Sequence, residues 1–192
     1  MRIITGLAKG RKLKAPPGLS TRPMLDAQKQ MLFSVLGARA ASDVGVYDIF
    51  AGSGALGLEA LSRGARAATF VERGRAALAC VRENVEHCGL GERARLVDAD
   101  AFKLDYGRLE HDADLVFFDP PFPLFERAPA HLAGLLRAAA AAPQVVPGAW
   151  LMWRMPIEAR PVEVPEEWRE FDRREAGRSI LFLYRKVEAA KP

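Results

Sequence analysis

Val46-Tyr47-Asp48-Ile49-Phe50-Ala51-Gly52-Ser53-Gly54-Ala55-Leu56-Gly57 is an apolar run with strand character that enters a glycine-rich turn, and the chain leaves the turn as Leu56-Gly57-Leu58-Glu59-Ala60-Leu61, a helical pattern. Gly52 and Gly54 permit a tight turn and a close approach of backbone to ligand, and the helix start that follows offers unpaired N–H groups. Such a loop suits a nucleotide-like cofactor. Read only as G-x-G-x-x-G it also fits a dinucleotide. Glu72 lies 20 residues beyond Gly52 at the end of Ala67-Ala68-Thr69-Phe70-Val71, where an acid binds ribose hydroxyls.

Two further acidic positions favour S-adenosylmethionine over NAD. Asp48 precedes Gly52 by four residues, where a carboxylate faces the amino-acid end of the former cofactor, directly or through water. Beside a pyrophosphate the same charge would be repelled. Asp98-Ala99-Asp100-Ala101-Phe102 follows the short strand-like run Ala94-Arg95-Leu96-Val97. A carboxylate there can accept from the adenine amine, with Phe102 against the ring. The competing roles are a cap for the next element and a core phenylalanine.

Downstream, the apolar run Leu115-Val116-Phe117-Phe118 ends in Asp119-Pro120-Pro121-Phe122. Neither prolyl nitrogen carries a hydrogen, so the corner is rigid, and the Asp119 carboxylate and Pro120 carbonyl remain as acceptors for a planar amine. Phe122 can stack on a flat base. A strand-ending turn with a core phenylalanine explains the same residues more simply. The cofactor loop upstream tips the reading toward methylation of a planar amine.

From about Gly45 onward strand-like and helical runs alternate: 46–50, 55–62, 67–71, 76–87, 94–97, 115–118, 132–142 and 150–153. Alternation predicts a mainly parallel sheet with helices on both faces. The end differs, because 169–175 and 179–186 flank Ala176-Gly177-Arg178 as an antiparallel pair would. Ligands of such sheets gather at the carboxyl ends of the strands, where Asp48, Glu72, Asp100 and Asp119 all fall. Ahead of this, Arg2-Ile3-Ile4 and Arg11-Lys12-Leu13 flank Gly6 to Gly10 as a hairpin, Pro16-Pro17-Gly18 breaks the chain, and 25–36 shows helical spacing. The expected organisation is a basic lobe over 1–40 and a Rossmann-like domain over 41–192.

At 49% hydrophobic and 27% charged residues, the 192-residue chain has an ordinary globular composition, neither disordered nor membrane-like. No apolar run reaches membrane-spanning length and the opening residues lack a signal-peptide core, so a cytoplasmic location is the default expectation. Cys80 and Cys88 lack paired spacing and read as free thiols, while His87, His111 and His131 are scattered, so no metal is expected. Charge is concentrated at one end. Residues 1–30 hold Arg2, Lys9, Arg11, Lys12, Lys14, Arg22 and Lys29 against Asp26, a local +6 that leaves −2 for the rest of a chain of net charge +4. Such clustering is an electrostatic footprint for phosphate backbones, although a basic tail can serve only solubility.

These residues together resemble the RsmD family of 16S ribosomal RNA guanine-N2 methyltransferases over nearly the whole chain. The resemblance lies in Met1-Arg2-Ile3-Ile4-Thr5-Gly6 with Gly10-Arg11-Lys12-Leu13, in Thr21-Arg22-Pro23 with Asp26, and most specifically in Asp48 through Gly64. Phe70-Val71-Glu72, Asp119 to Phe122 and Gly177-Arg178-Ser179 ahead of Tyr184 complete it. It implies a class I methyltransferase fold. S-adenosylmethionine would be held by Asp48, Phe50, Gly52, Ser53 and Gly54, by Glu72 with Arg73, and by Asp100, Ala101 and Phe102. Asp119, Pro120, Pro121 and Phe122 would hold the target guanine, and Arg2, Lys9, Arg11, Lys12 and Arg22 would meet 16S ribosomal RNA of the small subunit. The departures are Met24, Ala27, Lys29 and Gln30 in the basic lobe, and Arg154, where many relatives carry an acid. The alternatives are an adenine-N6 methyltransferase acting on DNA or RNA, an NAD-dependent oxidoreductase, and a non-catalytic RNA-binding assembly factor.

Overall fold

The computed structural model describes residues 1–16, 24–37 and 42–187. In chain order the elements are α1 (Asp26–Leu36), β1 (Gly45–Ile49), α2 (Ala55–Ser62), β2 (Ala67–Glu72), α3 (Arg75–Cys88), β3 (Ala94–Asp98), β4 (Ala113–Phe118), α4 (Leu124–Arg127), α5 (Pro129–Ala141), β5 (Val145–Pro156), β6 (Trp168–Ala176) and β7 (Ser179–Lys186). The strands form one seven-stranded sheet in the order β3-β2-β1-β4-β5-β7-β6. Pairs from β3 through β5 are parallel, and β7 runs antiparallel to both β5 and β6.

β1 is buried along its whole length and β4 everywhere but at Asp114, because both their faces are covered. Successive side chains alternate between two cores: Leu115 and Phe117 enter the one shared with α1, α2 and α3, while Val116 and Phe118 enter the one under α5. β5 is longer than the Trp150 to Trp153 run suggests. Pro147 and Gly148 interrupt its pattern, and the pairing with β4 shifts register between Ala113 and Leu115.

The N-terminal residues form the expected hairpin. Arg2 and Lys12 bridge in antiparallel fashion, with Ile3 N–H donating to the Arg11 carbonyl at 3.0 Å and Leu13 N–H to the Met1 carbonyl at 3.1 Å. Ile3, Ala8 and Leu13 enter the same core as α2. A buried carboxylate fixes this docking. Glu59 on α2 accepts from the backbone N–H of Ile4 at 2.7 Å and of Thr5 at 3.1 Å, and from Arg63 Nε at 2.8 Å. The Lys29 ammonium lies 3.7 Å from Glu59, both side chains being fully buried, and also donates to the Arg2 carbonyl. Burial pushes the Lys29 ammonium below its ordinary pKa, with Glu59 and Asp26 opposing.

Removing one partner of a buried pair leaves the other uncompensated, at a cost of about 3 to 5 kcal/mol. Glu59→Gln, which keeps the shape and discards the charge, is therefore expected to lower the unfolding free energy by about 3 kcal/mol in urea titrations. A loss within the ordinary scatter of surface substitutions would show that the cluster does not hold the hairpin.

Candidate active site

The register of the sheet assembles the site. Ile49 of β1 pairs with Val71 of β2 and with Phe118 of β4, and Phe118 pairs with Trp153 of β5. One residue further along, at the carboxyl ends, the same row carries Glu72, Phe50, Asp119 and Arg154. The strand order reverses between β1 and β4, which is where an open α/β sheet leaves a crevice. A cavity of about 320 Å³ lies there, lined by Asp48, Phe50, Gly52, Glu72, Asp119 and Arg154 among others. Of the other predicted residues Ser53, Arg73, Ala101, Phe102 and Pro121 also line it, whereas Gly54, Asp100, Pro120 and Phe122 are not among the lining residues. Met1, Pro16 and Met24 reach it from the N-terminal segment, an approach with no local sequence signal.

Carboxylates brace the loops from within. Glu72 Oε2 accepts from Gly52 N–H at 3.0 Å and Oε1 from Gly74 N–H at 2.7 Å, so one side chain ties the loop after β1 to the loop after β2. Asp48 Oδ2 accepts from Gly57 N–H at 2.9 Å. A Cβ on Gly57 would come within 2.4 Å of the Phe70 ring, so only glycine lets α2 sit this close to the sheet. Phe50 holds a φ of 67°, an unfavourable value for an aromatic residue, and such strain gathers at ligand sites.

Asp100 is engaged as a cap: its Oδ1 accepts from Phe102 N–H at 3.1 Å, and its Oδ2 lies 3.5 Å from Arg73. The Phe102 ring meets Phe50 edge-on at 5.9 Å and His131 at 5.5 Å. At the Asp119 corner, Arg154 Nε donates to Asp119 Oδ1 at 2.6 Å, and the guanidinium carbon lies 5.1 Å from the Phe122 ring centroid. In the basic lobe Lys9 and Lys12 are exposed, Arg2 pairs with Asp26 at 3.3 Å, and Arg11 donates to the His87 carbonyl. Arg22 lies outside the described residues.

Strand order, the single antiparallel β7, the glycine-rich loop after β1 and the acid closing β2 define a Rossmann-like class I methyltransferase fold. Within that class, the family model described as Conserved hypothetical protein 95 matches residues 1–185, and the chain belongs to this family, the RsmD family. Ribosomal RNA small subunit methyltransferase D of Escherichia coli is 41% identical over 122 residues, covering 64% of this chain and 60% of that protein. YlbH of Bacillus subtilis, an rRNA methyltransferase by name, is 39% identical over 124 residues, covering 64% of this chain and 67% of that protein. The matched segment thus spans about two thirds or less of either curated relative. The solved structure of yhhF from Escherichia coli aligns over 97% of this chain and 98% of its own, with TM-score 0.80 and 33% identity.

Burial pushes the Asp48 carboxyl up to about 8; Asp119 and Glu72 add to the shift, and the Gly57 N–H opposes it. An unfolded aspartate titrates near ~3.9, so between roughly pH 4 and 8 the folded chain holds a proton that the unfolded chain lacks. Stability from this group is full below pH 4 and declines as pH rises through the folded value. In urea titrations at pH 5, 7 and 9, Asp48→Asn is expected to remove this decline, so its stability relative to wild type rises with pH by on the order of a few kcal/mol. A difference that stays constant with pH would place the proton elsewhere.

Proposed function

We propose that this chain transfers a methyl group from S-adenosylmethionine to the exocyclic N2 amine of one guanine in 16S ribosomal RNA, within the small ribosomal subunit in the cytoplasm. The observation that supports this most is the position of Asp119: it ends β4 on the cavity that Asp48, Glu72 and the glycine-rich loop also line. The named relatives support ribosomal RNA as substrate. Whole-chain likeness to the family favours guanine over adenine, since an Asp-Pro-Pro-Phe corner suits any planar amine.

The cavity residues fit the cofactor. Its volume lies at the small end of the range for ligand pockets, and acids stand where ammonium and ribose hydroxyls need acceptors. Glu72 carries the ribose role, each oxygen keeping a lone pair beyond its backbone bond. Asp48 faces the ammonium, Phe50, Ala101 and Phe102 flank the adenine, and Asp100, held beside Arg73, accepts from the adenine amine. When bound, the cofactor supplies an electrophilic methyl on a sulfonium centre.

The guanine amine is a poor nucleophile because its lone pair is spread into the ring. Hydrogen bonds from that amine to the Asp119 carboxylate and the Pro120 carbonyl localise the pair and fix its direction. Asp119 also offsets the positive charge that develops on nitrogen as the methyl arrives. The base must be unpaired or flipped out for Phe122 to stack on it. Phosphates meet the hairpin at Arg2, Lys9, Arg11 and Lys12, and Arg22 is assigned the same role from the sequence alone.

Incubation with radiolabelled S-adenosylmethionine and undermethylated small subunits or naked ribosomal RNA, followed by nucleoside analysis, is expected to place label on guanine N2. Asp119→Ala should bind the cofactor almost as wild type does and slow single-turnover methylation on the order of a hundredfold. Label on adenine N6 would establish the rival methyltransferase instead.

Replacing Lys9, Arg11 and Lys12 together with alanine should weaken RNA binding similarly for cognate and unrelated RNA, and reduce the log-log salt slope by about 2. A wild-type slope with normal methylation would reduce the basic cluster to a solubilising surface.

A further inference from the structure

Arg154 is the cavity-lining cation to which the reading above gives no role. It stands on β5 one residue past Trp153, which the register sets beside Phe118, so it arrives next to Asp119. The ion pair is nearly closed to solvent, with side chains 7% and 16% exposed at an Nε to Oδ1 distance of 2.6 Å. The same guanidinium lies over the Phe122 ring, 5.1 Å from its centroid. One planar cation therefore touches both side chains that the proposed reaction assigns to the target base.

A buried ion pair contributes little net stability, because desolvation consumes most of the attraction. Arginine does impose geometry. Its fork is flat and donates in fixed directions, so an Asp held by one oxygen presents the other in a fixed plane. The charged groups around Asp119 are Arg154 from β5 and Asp48 from β1, with Glu72 from β2 beyond Asp48. Burial disfavours the carboxylate form of Asp119, and Arg154 opposes it. We propose that Arg154 is a positioning residue of the methyl transfer, fixing Asp119 through Oδ1 with Oδ2 turned to the target amine and steadying the Phe122 ring. This rests on the function proposed above. A protonated Asp119 would lose acceptor capacity toward the amine, so Arg154 also sets the lowest pH at which the corner works.

The test measures single-turnover methylation of undermethylated small subunits from pH 5.5 to 9 in wild type, Arg154→Gln and Arg154→Lys. Arg154→Gln, which keeps a donor and discards the charge, is expected to bind S-adenosylmethionine within about threefold of wild type and to lose about tenfold or more in rate on the acidic limb, where each unit of displacement is tenfold in carboxylate. Its acidic limb should move to higher pH by about a unit or more, and the loss should shrink toward pH 9. Arg154→Lys should return the limb toward wild type with only part of the rate, because the fork is lost. In an Asp119→Asn background Arg154→Gln should add little further loss. An unmoved limb, a loss equal at every pH, or full additivity with Asp119→Asn would overturn the proposal. If Arg154→Gln does not fold, Arg154→Lys carries the test, and a wild-type rate there overturns it. Carbon-13 titration of the Asp119 carboxyl, recognised by its absence in Asp119→Asn, reads the hold of Arg154 without any chemistry. An unchanged midpoint in Arg154→Gln defeats the positioning role. A wild type that methylates no guanine, with the midpoint displaced, defeats the proposed reaction instead.

Discussion

Glu59 is the interaction on which the arrangement of the molecule depends. A carboxylate taken wholly out of water is costly unless donors surround it, and here two backbone N–H groups, Arg63 Nε and the Lys29 ammonium do so. The backbone donors belong to the N-terminal segment, the ammonium to α1, and the carboxylate to the helix that the glycine-rich loop starts. One buried charge thus makes hairpin, α1 and loop a single unit. Lys29, one of the positions at which the chain departs from the family pattern, supplies the charge that this burial requires.

The sheet register does for the site what Glu59 does for the lobe. Glu72, Phe50, Asp119 and Arg154 come from different strands, and they share a row because Val71, Ile49, Phe118 and Trp153 pair in register. The contributions with local signatures were legible in the sequence: a glycine turn after an apolar run, an acid closing the next strand, a proline corner after another. Arg154 had no such signature, since its role depends on a pairing between strands far apart in sequence with a bulge between them. Met1, Pro16 and Met24 were hidden for the same reason, their approach to the cavity being set by the docking of the hairpin. At Asp100 the local rule is met, because an aspartate before a short helical turn caps it.

Two carboxylates in one cavity are treated differently by their surroundings. Among the described residues Asp48 has a single backbone donor and no cation beside it, and burial leaves it close to neutral at physiological pH. Asp119 is also driven upward by burial, but Arg154 pulls it back. A neutral Asp48 lessens the repulsion that would otherwise push Asp119 further, so the two acids need not compete for ionisation. An ammonium brought beside Asp48 favours its charged form, and the Asp119–Arg154 pair keeps the neighbouring corner from having to take up the proton.

The N-terminal hairpin has two sides with different neighbours. Lys9 and Lys12 are exposed on it, whereas Met1 and Pro16 border the cavity and the Met1 sulfur lies 3.5 Å from Ser53 Oγ in the glycine-rich loop. On the proposed function, an RNA phosphate held by the outer side would restrain a segment that walls the cavity, and a filled cavity would restrain the same segment. Coupling between binding sites is reciprocal by thermodynamic necessity, so whatever cofactor occupancy adds to RNA affinity, RNA adds to cofactor affinity. Because Glu59 ties the hairpin backbone to the helix that follows the loop, the hairpin cannot shift without disturbing that helix, and such coupling needs no movement of the sheet.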